Sequence, residues 1–221
     1  MRNIHQTLFF TIGILLIVFL SAVPCIRAQG YPPGFNVNFE WEHFVEQSKD
    51  RREMDVSQLG ARISYSFPQT FDLFVGLSWQ DMDLRINTTE YDLDSALAFR
   101  IGGKIYVVRA IPMGVPADFT ISVSYSTAKH EESQTKNDFT HRRVIGTGGI
   151  EWRYMSSVPY LNFGVLYSEV DAAVTPGEDY DQTSPFIAAG IYAPILDSVS
   201  LRAAINYAQE IGYSLGVQFR F

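Results

Sequence analysis

The sequence predicts an all-β fold: a single up-and-down antiparallel transmembrane barrel of ten strands, with eight as the alternative count. Three observations predict it. Apolar and polar residues alternate with a period of two in ten separate segments. The links between those segments alternate between long polar stretches and compact turns. Aromatic residues gather at both ends of the segments, with aliphatic residues between them.

The chain has 221 residues, 47% hydrophobic, 14% aromatic and 19% charged. That composition fits one folded domain and argues against disorder. Leu8 to Leu20 is an apolar run behind Arg2, and small residues lead up to Ala28. The run is too short for a spanning helix, which needs about 20 residues. It reads as a signal peptide over 1–28, cleaved at Ala28–Gln29, with the barrel over 29–221. Cys25, the single cysteine, leaves with the leader. Pro24 and Ala22 are poor matches to a lipoprotein-type processing site there. The mature chain then has no thiol for a disulfide, a thiolate metal site or a cysteine nucleophile. Loss of Arg2 and Arg27 leaves 15 basic against 24 acidic residues, a net charge of −9. Nucleic acid is excluded as a partner on that balance.

The strands follow in order. Phe35, Val37, Phe39, Trp41 and His43 share one face, against Asn36, Asn38, Glu40 and Glu42. The polar stretch Gln47–Asp55 links to Leu59–Phe67, and Pro68–Thr70 turns into Phe71–Trp79. A long link, Asp81–Asp94, leads to Leu97–Val107. Ala110–Ala117, with two prolines and a glycine, turns into Phe119–Tyr125. Lys129–Arg142 is polar, Val144–Tyr154 alternates, Ser156–Pro159 turns, and Leu161–Tyr167 alternates again. Glu169–Ser184 is the fourth long link. Phe186–Ala193 is apolar or small on both faces, so its orientation stays open. Pro194–Asp197 turns into Val199–Tyr207, and Gln209–Gly212 leads into Tyr213–Phe221.

With the last link, Gln209–Gly212, set aside, odd links are long and polar and even links are compact turns, the asymmetry of external loops and periplasmic turns. Trp41, Trp79, Tyr125, Tyr167, Tyr207 and Tyr213 fall at outer ends. Phe67, Phe71, Phe119, Trp152, Tyr154 and Phe219 fall at inner ends. Two aromatic girdles around an aliphatic band suit a strand set whose apolar face meets lipid.

The last strand is the most telling. Tyr213, Leu215, Val217, Phe219 and Phe221 alternate with small or polar residues. This stretch resembles the C-terminal assembly signal of bacterial outer-membrane β-barrel proteins. With the leader and the strand rhythm, the chain resembles small barrels of the OmpA-barrel, OmpX and OmpW types. The resemblance implies residence in the outer membrane of a Gram-negative bacterium. It implies contact with outer-membrane lipid, and handling by the insertion machinery through Phe221. The strand Tyr213–Phe221 should close the barrel against Phe35–Val45.

Wet faces of such strands point inward. Glu40, Glu42, Asp72 and Glu151, with Arg62, Arg100, Lys104, Arg153, Arg202 and Arg220, form the expected lumen charge network. Packed, these groups are an interior of ion pairs; hydrated, they are a narrow pore tilted toward anions. Asp81, Asp83, Glu90, Asp92 and Asp94 make one outer link acidic. Glu169, Asp171, Glu178, Asp179 and Asp181 do the same in another. Divalent cations at these loops are conceivable, since oxygen donors suit them, but solvated loops are the simpler reading. Asn87-Thr-Thr89 matches a glycosylation sequon by accident. His130, Ser133 and His141 share one region without the spacing of a catalytic set. They match neither the lipid A deacylases nor the omptin proteases. His43 belongs at the lipid interface, and no His/Asp/Glu set has metal-ligand spacing.

The expected protein is an integral outer-membrane barrel of structural or surface-interaction type with outward acidic loops. A narrow porin-like channel is the alternative. A lipid-modifying or proteolytic enzyme comes third, so no catalytic residue and no cofactor is assigned.

Overall fold

The computed structural model describes residues 34–48, 52–67, 71–86, 88–113, 115–134, 136–154, 157–172 and 180–221. The leader, its cleavage point and Cys25 lie outside the described residues, as do Glu178 and Asp179. The strands are β1 (Gly34–Ser48), β2 (Arg52–Ser66), β3 (Phe71–Ile86), β4 (Thr89–Asp92), β5 (Ala96–Met113) and β6 (Val115–Glu131). They continue with β7 (Asp138–Trp152), β8 (Val158–Ala172), β9 (Tyr180–Leu196), β10 (Val199–Tyr207) and β11 (Ile211–Arg220).

Ten of them form a closed antiparallel ring. β11 closes it on β1, from Asn36↔Arg220 to His43↔Tyr213. The four-residue β4 continues the course of β5. β3 pairs with β5 up to Gln80↔Ala96 and then with β4 from Asp83↔Asp92 to Ile86↔Thr89. A bridge at Leu93↔Glu132 ties that segment to the end of β6.

The outer face explains why the chain closes this way. Ile63, Leu77, Ile105, Val123 and Leu215 are each at least half exposed to the surroundings. A water-soluble protein does not present such a continuous apolar surface. A barrel in a bilayer turns it to lipid while leaving no strand edge unpaired there. Gly216 sits between Glu40 and Arg202 in register, Glu40↔Gly216↔Arg202. A Cβ on it would lie 2.7 Å from the Phe39 carbonyl, so only glycine lets the two long side chains meet across β11.

Three expectations need correction. The long polar links are mostly not loops. β1 and β2 stay paired to Ser48↔Arg52, β6 and β7 to Glu131↔Asp138, and β8 and β9 to Val170↔Tyr180. The polar stretches are therefore walls that carry the barrel beyond the bilayer. A spanning strand needs about 9–11 residues; β10 and β11 have 9 and 10, whereas β1 and β2 have 15 each. Second, Phe219 keeps the outward register of β11, opposite Val37 and Val199, but its ring is covered by neighbours and not open to lipid. It is 2% exposed and packs edge-on against Phe39, centroids 6.1 Å apart. Trp79, Tyr125, Tyr207, Tyr213, Phe119 and Tyr154 do stand exposed on the outer face. Third, β9 has a definite orientation: Phe186 and Ala188 are buried inside, Ile187 and Ile191 face out.

Candidate functional site: a lumen closed at its outer end

The strands bring the ten inward charges onto one cavity of about 440 Å³. Glu40, Glu42, Arg62, Asp72, Arg100, Lys104, Glu151, Arg153, Arg202 and Arg220 all line it. Nearest the inner mouth, Arg153 pairs with Asp118 at 2.6 Å, and Lys104 with Glu151 at 3.0 Å and Asp72 at 3.4 Å. The Tyr106 hydroxyl donates to Asp72 at 2.9 Å. Deeper in, Arg202 bonds Glu40, and its Nε donates to the Tyr160 hydroxyl at 3.3 Å. Arg62 approaches Glu40 only to 3.9 Å. Glu42 accepts from Gln58 at 2.5 Å and is shared by Arg100 and Arg143, each at 3.3 Å. Arg220 is exposed at the inner mouth, beside Asn36 in register.

Reading by residue number missed Glu46, Asp118 and Arg143, which also face inward. Asp118 opens the wet face of β6, and Arg143 continues that of β7 by simple parity with Ile145 and Thr147. Each stands at the edge of a segment, Asp118 between the turn ending at Ala117 and the strand from Phe119, and Arg143 between the polar run ending at Arg142 and the strand from Val144. With them, seven basic and six acidic residues face the interior among the described residues. The anion preference suggested by a six-to-four count largely disappears.

Farther out the inward face changes character. Phe44, Met54, Val56, Met82, Leu84, Ile86, Tyr91, Leu93, Phe139 and Val170 form an apolar core inside the barrel, each no more than 8% exposed. Tyr91 on β4 and Phe139 on β7 meet across it, centroids 5.4 Å apart. On the same strands the outward residues are now polar: Asp55, Asp81, Asp83, Arg85, Lys129 and Arg142. Where water replaces lipid outside, the pattern inverts, as it must in a barrel folded in water.

Core and cavity meet at a buried polar cluster. Arg143 is 2% exposed, lies 3.7 Å over the Phe44 ring, and stands between Glu42 and Glu46. Burial pushes the Glu46 carboxyl up from its ordinary value, against the pull of Arg143. His141 sits beyond the apolar band, with Thr140 and Arg142 as its outward neighbours. Gln80 lies 2.9 Å from its Nδ1 and Ser168 3.3 Å from its Nε2. Burial, then Arg143, then His130 push its pKa down to about 3.

The residues weighed for catalysis do not assemble. His130 Nδ1 bonds the Asp94 backbone carbonyl, while Ser133 donates to the Asp94 carboxylate. Each finds Asp94, and no hydrogen bond joins them to one another. On the outer surface Asp55, Asp83 and Asp92 stand directly opposite one another across β2, β3 and β4. No group of three or more His, Cys, Asp or Glu among the described residues is placed to hold a metal ion. His43 lies on the outer face between Trp41 and Tyr213, its Nδ1 3.1 Å from Ser57 and 3.3 Å from Asp55.

No protein-family model and no curated protein sequence matches the chain. Solved structures do. The β domain of the Bordetella autotransporter BrkA aligns at TM-score 0.50 and 12% identity, over 86% of this chain and 100% of that one. Ail of Yersinia pestis aligns at TM-score 0.43 and 12% identity, over 87% and 100%. Neisserial surface protein A aligns at 0.39 and 15%, over 85% and 97%. At these identities the likeness is one of fold alone. The architecture here is that of a small closed antiparallel β-barrel.

Proposed function

We propose that this chain is an integral outer-membrane protein of structural and surface-interaction type, closed to ion flow. The observation that carries the reading is the apolar core around Phe44, Leu84, Tyr91 and Phe139. It fills the barrel where a pore would have to open outward. A conducting lumen needs a continuous wet path, and these side chains offer water no partner. What the protein presents outward is the polar surface of its extended walls, rich in carboxylates on β2, β3 and β4. Its fixed partners are the surrounding lipid and, during assembly, the insertion machinery that receives β11. Divalent cations are the counter-ions that such a surface would draw between neighbouring lipid headgroups.

Planar-bilayer recording on purified, refolded protein tests the reading. Repeated insertions should give no steady current steps. Reproducible single-channel steps would overturn it in favour of the narrow channel. Deleting Phe221 should lower the amount reaching the outer membrane more than the amount synthesised, and normal membrane levels would remove β11 from the assembly role.

A further inference from the structure

The cavity behind the apolar core ends blind on the outside and reaches Asn36, Arg153 and Arg220 at the inner mouth. Its 440 Å³ lies within the range of small-molecule sites. The charges lining it fall into two tiers that differ in how well they are paired. Near the mouth, every acid has a base within 3.4 Å. In the deep tier three guanidinium groups, Arg62, Arg100 and Arg202, face two carboxylates. Glu40 is engaged by Arg202, and Glu42 is divided among Arg100, Arg143 and Gln58.

Arg62 is left over. It makes no hydrogen bond among the described residues, and its nearest carboxylate oxygen is 3.9 Å away. Its guanidinium rests 4.9 Å over the Phe74 ring, one-fifth exposed to the cavity. Arg62 and Arg100 flank Gly76 in register, Arg62↔Gly76↔Arg100, so no side chain stands between them. A guanidinium carries five N–H donors in a fixed fork that matches carboxylate and phosphate oxygens. Leaving such donors buried and unmatched is costly. Beside them Tyr160 and Tyr192 form a tilted aromatic pair, centroids 5.4 Å apart, on the cavity wall.

We infer that the blind lumen is a binding site for a small oxyanion, a carboxylate or phosphate monoester with a short organic body, admitted only from the inner side. The anionic head accepts hydrogen bonds from Arg62 and Arg100 over Gly76. The organic body lies against Phe74, Tyr160 and Tyr192. Admission from the inner side alone rests on the closed outer end argued above; the contacts to the anion do not.

The test uses the full mature chain refolded in an uncharged detergent, with 4-fluorobenzoate, 4-fluorophenyl phosphate and the cation 4-fluorobenzylamine as fluorine NMR probes. Saturable broadening is expected for the two anions and not for the amine. Arg62→Gln should weaken anion binding at least tenfold while heat-dependent electrophoretic mobility shows an intact barrel. Ala204→Trp, which fills the cavity from β10, should abolish it. Anions that bind no better than the amine would overturn the site. So would Arg62→Gln and Arg100→Gln proteins that both bind like the parent, because water alone would then satisfy the guanidinium groups. Current steps with anion binding retained would end the closed-barrel reading and leave the site. Silence in the bilayer without anion binding would do the reverse.

Discussion

The barrel is two proteins stacked on one set of strands. In the bilayer section Leu77 on β3 points out and is 54% exposed; seven residues on, Leu84 points in and is fully buried. The backbone alternates without interruption between them. What changes is the solvent outside, lipid for the first and water for the second. A β-strand offers two faces, and whichever solvent bathes the outer one decides what the inner one must be. The charged lumen and the apolar core follow from the same rule applied on either side of the membrane boundary.

Removing Arg143 should break the comparison most severely, because it sits where the two sections meet. Arg143→Ala leaves Glu42 and Glu46 buried without their shared cation. Loss of one partner from a buried ion cluster costs about 3–5 kcal/mol. Urea unfolding in lipid vesicles, followed by tryptophan fluorescence, should show that loss. The matched leucines sharpen the contrast further. Leu84→Ala should cost about 2–5 kcal/mol, as core truncations do. Leu77→Ala exchanges one lipid-facing surface for a smaller one and should cost less than about 1 kcal/mol. Equal losses for the two leucines would mean that the outer core does not pack as a core.

Much of the bilayer section was legible in the sequence. Its strands alternate cleanly, and the pairing of β11 with β1 is the one expected of the two free edges. The outer section was not legible as structure. Asp81–Asp94 reads as a polar loop because aspartates interrupt Met82, Leu84 and Ile86. Yet those three apolar residues already keep the period of two. The same inversion hides Phe139 within the polar run Lys129–Arg142. A strand whose apolar face turns inward, with water outside, reads as a polar run when lipid is expected on its outer face. Pairing details such as the 3.9 Å separation of Arg62 from Glu40 depend on side-chain reach across neighbouring strands. No single-strand pattern encodes that.

The two sections should also differ in their response to acid. The His141 pKa is pushed down to about 3 in the folded protein, against an ordinary value of 6.5. Above pH 6.5 the ring is neutral folded and unfolded, so it contributes nothing. Below that the unfolded chain takes up the proton first, and stability falls until about pH 3. At pH 5 the loss is about 2 kcal/mol. Glu46 works the other way: its pKa is raised, so falling pH relieves the cost of burying its charge. Urea midpoints at pH 7 and pH 5 separate the two. His141→Asn should lose less stability on acidification than the parent, and Glu46→Gln should lose more. Identical losses in all three proteins would remove this cluster from the acid response.

The smallest effect is expected on the outer surface, where the walls meet water. Asp83 faces Asp55 on one side and Asp92 on the other. Its carboxyl is pushed up, first by partial burial and then by those neighbours. Like charges directly opposite on adjacent strands destabilise a sheet by about 0.2–1 kcal/mol. Asp83→Asn should therefore stabilise the outer section by a few tenths of a kcal/mol at pH 7. The gain should shrink as pH falls, because a raised pKa means the parent relieves the same repulsion by taking up a proton. It should shrink with added salt as well, since these groups are open to solvent and screened. A substituted protein less stable than the parent at pH 7 in low salt would show that Asp83 holds something there. The aspartate ladder would then be a site and not merely a tolerated cost of turning polar walls toward water.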